Sequence, residues 1–330
     1  MRQLGVSQWC WGVLVLVMLL LSPLVESHLQ YNYYLTTCPA AEIIVRKFVK
    51  QALIQNPGLG AGLLRMHFHD CFVHGCDASV LIDSTPENQA EKDSFFNNPS
   101  LRGFEVIDKA KAQLEALCPG VVSCADILAL AARDSVALLG GPFWSIRSGR
   151  RDGSVSNAAD VLENLPTPFF DLRQLTQNFA AKGFSQVEML TLAGAHTIGA
   201  SHCTSFSNRI YNFSDTTPQD PTLNSHFAEE LKLQCPQTDF DPDLRVGMDS
   251  FTPIRFDNKY YIGLRNGRGL FTSDQTLFTD DHNTAATVKQ YSDNGFLFSS
   301  KFVSAMIKMS EIEVKTGLQG DVRKNCRAFN

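Results

Sequence analysis

The sequence predicts a single, mainly α-helical domain. Three observations carry that reading: apolar residues recur at three- and four-residue spacing, side-chain caps stand before several of these stretches, and strand-like alternation is scarce. Pro39 suits a first helical turn, and Val45, Phe48, Val49 and Ala52 follow on one face. The run from Arg65 to Cys71 reads as the end of a second helix. Ile107, Ala110, Leu114 and Leu117 form another stripe, stopped by Cys118-Pro119-Gly120. Ser123 with Asp126 and Ser185 with Glu188 have capping-box spacing, and Asp171 with Gln174 makes a similar start. Leu223, Phe227, Leu231 and Gln234 predict a helix closing at Cys235-Pro236; Phe302, Ala305, Met306, Met309 and Ile312 predict a late one. Pro/Gly-rich joints at 140–142, 165–168 and 266–269 separate helices rather than domains. No repeat, charge block or low-complexity segment marks a boundary.

Composition narrows the function classes. The chain has 330 residues, 44% hydrophobic and 19% charged, which is globular rather than disordered. A net charge of −5 gives no general attraction to nucleic acid or anionic lipid. Near the N-terminus, Arg2 precedes an apolar run from Trp9 to Leu21, shorter than the roughly 20 residues a membrane-spanning helix needs. Ser22-Pro23 closes the run, and Val25-Glu26-Ser27 offers a cleavage point. Residues 1–27 are therefore expected to be a signal peptide and 28–330 a secreted domain with no membrane span. Removing 1–27 removes Cys10 and leaves eight cysteines, which in an oxidising compartment suggests four disulfides among about 105 pairings. Cys71 and Cys76 are close enough to clip one short loop. Asn212-Phe213-Ser214 is a glycosylation sequon and implies an exposed loop.

The chemistry concentrates around two histidines. In a helix Arg65 and His69 share a face, whereas His67 points elsewhere. The imidazole can move a proton, the guanidinium can hold developing negative charge, and the cation keeps the histidine deprotonated. His67, His69, His74 and Cys71 resemble a zinc cluster only superficially, because Cys71 and Cys76 are better spent on a disulfide. A zinc hydrolase would also need a glutamate, as in His-Glu-x-x-His, and the cluster has none. The second histidine, His196, lies in Leu192-Ala193-Gly194-Ala195-His196-Thr197-Ile198-Gly199, near the end of the helix that Ser185 starts. Small residues there let a bulky group approach.

The runs Arg65 to Ser79, Leu192 to Gly199 and Gly269 to Gln275 resemble the plant secretory haem peroxidases, the class III family, and the likeness extends from about Tyr33 to Cys326. The resemblance implies a helical fold with haem b between distal and proximal halves. It implies His196 as the proximal iron ligand, with Asp274 accepting the other ring N–H. On the distal side it implies His69 as the base, Arg65 as the charge stabiliser, Asn97 as acceptor from His69, Glu91 as anchor of that network and Phe68 beside the iron site. Pro166 matches the residue whose carbonyl borders the donor site. The substrates implied are hydrogen peroxide and small phenolic donors, with the enzyme acting as a monomer in the cell wall or vacuole.

Two Ca2+ sites also follow from the resemblance. The distal one would use Asp70, Val73, Gly75, Asp77 and Ser79; the proximal one Thr197, Asp249, Thr252, Arg255 and Asp257. Arg255 departs from an ordinary calcium ligand and would serve only through its carbonyl, its side chain pointing away. Met66 replaces the family's usual leucine, a volume-conserving change. The implied disulfides are Cys38–Cys118, Cys71–Cys76, Cys124–Cys326 and Cys203–Cys235. A binding protein that kept the fold but lost the chemistry would lack His69, Arg65 or His196, and all three are retained.

Overall fold

The structure is a computed structural model and describes residues 28–238 and 241–330; the expected signal peptide, 1–27, lies outside the described residues. Thirteen α-helices are the dominant regular structure of the described chain: α1 (Ala41–Gln55), α2 (Gly58–Val73), α3 (Phe104–Leu117), α4 (Cys124–Leu138), α5 (Ala158–Asn164), α6 (Leu172–Ala181), α7 (Gln186–Ala193), α8 (Ser207–Ile210), α9 (Ser225–Gln234), α10 (Lys259–Arg265), α11 (Thr272–Thr279), α12 (His282–Asp293) and α13 (Gly295–Met309). The described sheet is a two-stranded antiparallel ribbon, β1 (Ala200–His202) with β2 (Arg245–Gly247). All four expected disulfides are formed.

Local chemistry explains most boundaries. Ser185 and Asp171 make reciprocal capping boxes with Glu188 and Gln174. Ser123 caps α4 from one side only, accepting from Asp126 N. The Asp126 carboxylate turns inward instead, to Tyr34 Oη (2.6 Å), Gly149 N (2.7 Å) and Arg150 Nη1 (2.8 Å). Pro39 lies ahead of α1 rather than in its first turn, because Ala40 is the N-cap. Leu117, the last residue of its stripe, is exposed. Leu223 and Ile312 are buried but lie just outside α9 and α13, where the chain turns.

Packing builds two halves on one main core. The helices α1 to α4 pack together, with α2 lying mainly on α4, and Val45, Val49, Leu63, Leu114, Ile127 and Leu130 fill the seam. Farther along, α7, α12 and α13 pack together with α10 and α11 around Leu190, Tyr261, Tyr291, Phe298 and Phe302. A smaller cluster of Phe206, Ile210, Phe227 and Leu231 surrounds the Cys203–Cys235 bridge. Cys124–Cys326 ties the central helix to the C-terminus.

Candidate active site

The distal side chains sit on α2 as the helix wheel requires. Arg65 Nε donates to His69 Nε2 at 3.1 Å, one turn away. Arg65 is held from its other end, Nη1 donating to Ser100 Oγ (2.9 Å) and Nη2 to the Phe96 carbonyl (2.8 Å). His69 Nδ1 lies 2.6 Å from Asn97 Oδ1, and Asn97 Nδ2 donates to the Glu91 carbonyl at 2.7 Å. These bonds fix the tautomer. Arginine can only donate, so His69 Nε2 carries the lone pair and Nδ1 the proton. Burial, then Arg65, push the His69 pKa well below its ordinary value, against the opposing pull of Asn97. Burial and the nearby Arg102 lower the Arg65 pKa to about 10. Phe68 is half-buried, its ring edge-on to His69 and tilted against Phe72. His67 is buried on the opposite face beside Cys71. His67, Cys71 and Cys76 come together, but both sulfurs are spent on a disulfide, which removes the thiolates a zinc site would need.

The second histidine is not at the end of α7. The helix stops at Ala193, and His196 rides on a following 3₁₀ turn, Gly194–Thr197. Tertiary contact sets that turn: a Cβ on Gly194 would stand 2.4 Å from Tyr261 Oη. His196 Nδ1 lies 2.7 Å from Asp274 Oδ1, and its ring sits edge-on to Tyr260 and Phe271. Asp274 lies in the first turn of α11 and also accepts from Phe271 N (2.9 Å) and Tyr260 Oη (2.9 Å). Burial would raise the Asp274 pKa, but His196 and the bonds to Phe271 and Tyr260 outweigh it and hold the carboxylate below its ordinary value. The preceding loop is fixed by buried Arg209, which pairs with Asp220 (2.8 Å) and donates to the carbonyls of Gly269, Leu270 and Phe271. Pro166 is half-buried on the loop before α6, and Pro168 O in the same loop accepts from Ser273 N at 3.0 Å.

Residues that would hold haem fit that group. His196 has one ring nitrogen fixed on a carboxylate, leaving Nε2 as the ligand atom, and its side chain is 39% exposed. The distal trio supplies a base, a cation and an orienting amide.

The two expected calcium loops hold oxygen donors of the right kind. Asp70, Asp77, Ser79 and Glu91 are all buried. Both Glu91 carboxylate oxygens and Ser79 Oγ lack a hydrogen-bond partner. Burial and then Asp70 push Glu91 up to about 9, and burial with Asp77 pushes Asp70 up. Lys315 reaches Asp77 but leaves those oxygens unsatisfied. A hard cation fits this chemistry. Val73 ends α2 and Gly75 follows it, its carbonyl accepting from Asp77 N at 2.9 Å. On the proximal side Thr252 Oγ1 lies 3.0 Å from both Asp249 Oδ2 and Asp257 Oδ2, with one O–H to give, and Thr197 Oγ1 lies 3.4 Å from Asp257 Oδ1. The Arg255 side chain is 73% exposed, with Nε 4.0 Å from Asp257. Asn212 is exposed beside a tight turn in which Phe213 N donates to Pro218 O.

Sequence reasoning missed Ser100, Phe96 and Tyr260. Ser100 and Phe96 lie more than thirty positions from Arg65, and no spacing signal links them to it.

Comparison with known proteins places these features in context. A family model described as peroxidase matches residues 45–294. Peroxidase 5 of Vitis vinifera is 56% identical over 322 residues, covering 98% of each chain. Peroxidase 51 of Arabidopsis thaliana is 48% identical, covering 96% of this chain and 97% of its own. Peroxidase 55 of the same plant is 49% identical, covering 95% and 94%.

Proposed function

The chain belongs to the plant class III haem peroxidase family, and from that premise we propose a secreted, monomeric enzyme that uses hydrogen peroxide to oxidise phenolic and similar aromatic donors one electron at a time. The observation that carries the mechanism is the hydrogen-bonded run from Glu91 through Asn97 and His69 to Arg65. Residues 1–27 act as the signal peptide, 28–330 as the enzyme, and the product works in the cell wall or vacuole.

When bound, the haem supplies the iron that takes peroxide and the oxidising equivalents that donors later quench. His196 Nε2 would hold it, and Asp274, by accepting from Nδ1, makes the imidazole more electron-rich. Across the site, His69 Nε2 removes a proton from one peroxide oxygen and returns it to the other, which leaves as water. Asn97 keeps the other ring nitrogen protonated, so the lone pair faces the substrate. Arg65 already occupies that lone pair at 3.1 Å, so peroxide must displace its Nε–H. The Ser100 and Phe96 anchors keep the guanidinium close, where it stabilises charge on the departing oxygen. Over the whole cycle two donors would supply one electron and one proton each, so that both peroxide oxygens end as water. Phe68 and Pro166 border the access route, and the Asp70–Ser79 and Thr197–Asp257 loops would hold calcium beside the two histidine segments.

The test is the visible spectrum of purified haem-loaded protein, before and after one equivalent of hydrogen peroxide and then a phenol. A Soret band that falls with peroxide and recovers with phenol supports the proposal. A band indifferent to peroxide overturns it.

A further inference from the structure

The last stretch of chain folds back over the loop that follows α2. Cys76 N donates to Ile312 O at 3.0 Å, and a Cβ on Gly75 would stand 2.6 Å from the Glu313 carbonyl oxygen. Farther on, Arg151 N donates to Lys315 O (2.8 Å), and Asp152 and Asp321 exchange backbone hydrogen bonds. Gly153 N donates in turn to Asp77 O at 2.8 Å. Residues 312–323 thus strap the loop against residues 151–153.

The strap brings two cations to the buried acids of that loop, and they differ in freedom. Arg323 is buried, donates from Nη2 to the Ala78 carbonyl at 2.6 Å and has Nε 3.9 Å from Asp152 Oδ2. Lys315 Nζ pairs with Asp77 Oδ2, and its side chain is 33% exposed against 2% for Asp77. The lysine is fixed by its backbone, so its ammonium can swing into water, whereas the Arg323 guanidinium cannot. The other Asp77 oxygen accepts from Ser79 N at 3.0 Å, Asp70 accepts from Ala78 N at 2.9 Å, and neither Glu91 oxygen has a hydrogen-bond partner. A calcium ion drawn to these oxygens therefore meets Lys315 at Asp77. Two cations on one carboxylate repel, so the ion displaces the ammonium or binds against its field. In both cases the Lys315–Asp77 pair stabilises the calcium-free loop more than the loaded one, and calcium affinity falls by that difference.

We propose that Lys315 is a displaceable counter-cation of Asp77, which sets the calcium affinity of the distal loop and supports that loop when calcium leaves. This rests on the calcium reading and adds to it a residue outside the ligand set. The test titrates Ca2+ calorimetrically into haem-loaded wild type, Lys315→Met and Lys315→Arg, each first stripped of metal with a chelator. Lys315→Met is expected to bind calcium about two- to fivefold more tightly at one site, the range of a partly exposed ion pair. The other site, around Asp249 and Asp257, should not change. The thermal midpoint of Lys315→Met should fall below wild type in chelator and match it in excess calcium. Lys315→Arg, which keeps the charge, should resemble wild type in both measurements. Unchanged or weaker binding by Lys315→Met, or equal tightening of both sites, overturns the proposal. An equal fall of the midpoint with and without calcium also overturns it, because the pair would then be a structural contact indifferent to the ion. Wild type that takes up no calcium would overturn the calcium reading itself, and the proposal with it.

Discussion

Arg65 and His69, one helical turn apart, meet through a single hydrogen bond of 3.1 Å from guanidinium Nε to imidazole Nε2. The bond makes His69 an acceptor at the nitrogen that must take a proton. With Nδ1 committed to Asn97 Oδ1 at 2.6 Å, the neutral ring has only one tautomer that satisfies both neighbours. The base is thus set before substrate arrives, and its neighbours act on its pKa in opposite directions.

The pH dependence should reveal those opposite directions. His69 works as the neutral ring, and burial with Arg65 keeps its pKa well below 6.5. The rate of reaction with peroxide should therefore be flat near neutrality and fall only at acid pH. Arg65→Leu removes a cation that disfavours protonation, so the acid limb should move to higher pH. Asn97→Ala removes a partner that favours the protonated ring, so the limb should move lower, while the plateau drops by about 10- to 100-fold. Stopped-flow pH profiles check both signs; limbs moving the same way would contradict the account.

On the other side, His196 and Tyr260 share one oxygen of Asp274, at 2.7 and 2.9 Å. Each donor draws charge from the other. Tyr260→Phe should free charge for His196 and shift the haem reduction potential negative. Asp274→Asn should weaken the acceptor and shift it positive. Spectroelectrochemical titration measures both, and shifts of the same sign would rule out a shared carboxylate as the controlling element.

Stability should depend on the buried Asp126–Arg150 pair, whose side chains are both 0% exposed. Arg150 also donates to the Ser310 carbonyl from Nε at 3.0 Å, so it cannot follow a lost partner to solvent. Asp126→Ala should cost about 3–5 kcal/mol, because it leaves a buried cation unpaired. Denaturant unfolding at constant m tests this, and a loss under about 1 kcal/mol would show the site relaxes or hydrates.

Calcium removal should be felt first at the end of α2. Asp70, Asp77 and Glu91 are buried together, and Ser79 Oγ with both Glu91 oxygens has no partner. Without a cation the ionised forms of Asp70 and Glu91 are disfavoured, and Asp70 adjoins His69. Chelation should lower both thermal midpoint and turnover, and added Ca2+ should restore them. Unchanged turnover in protein shown by elemental analysis to be calcium-free would count against the distal site.

The sequence carried much of this. Caps at Ser185 and Asp171, the shared face of Arg65 and His69, and all four cysteine pairs were legible, the last through family resemblance. What it could not carry depended on tertiary approach. His196 lies on a 3₁₀ turn because Tyr261 crowds Gly194, a contact between positions 67 apart in sequence. Asp126 has capping-box spacing, yet its carboxylate serves Arg150 and Tyr34, because burial there rewards pairing a cation over closing a cap. Ser100 and Tyr260 are ordinary residues in sequence and become site residues only when distant segments fold against Arg65 and Asp274.

The central claim is that His69, set by Arg65 and Asn97, moves the proton that lets peroxide cleave. Its most direct test is stopped-flow mixing of haem-loaded wild type and His69→Ala with hydrogen peroxide, following the Soret band. The account predicts an unchanged resting haem band and a rate about 10²- to 10⁴-fold slower in the variant. A variant that retains haem and reacts as fast as wild type would contradict it.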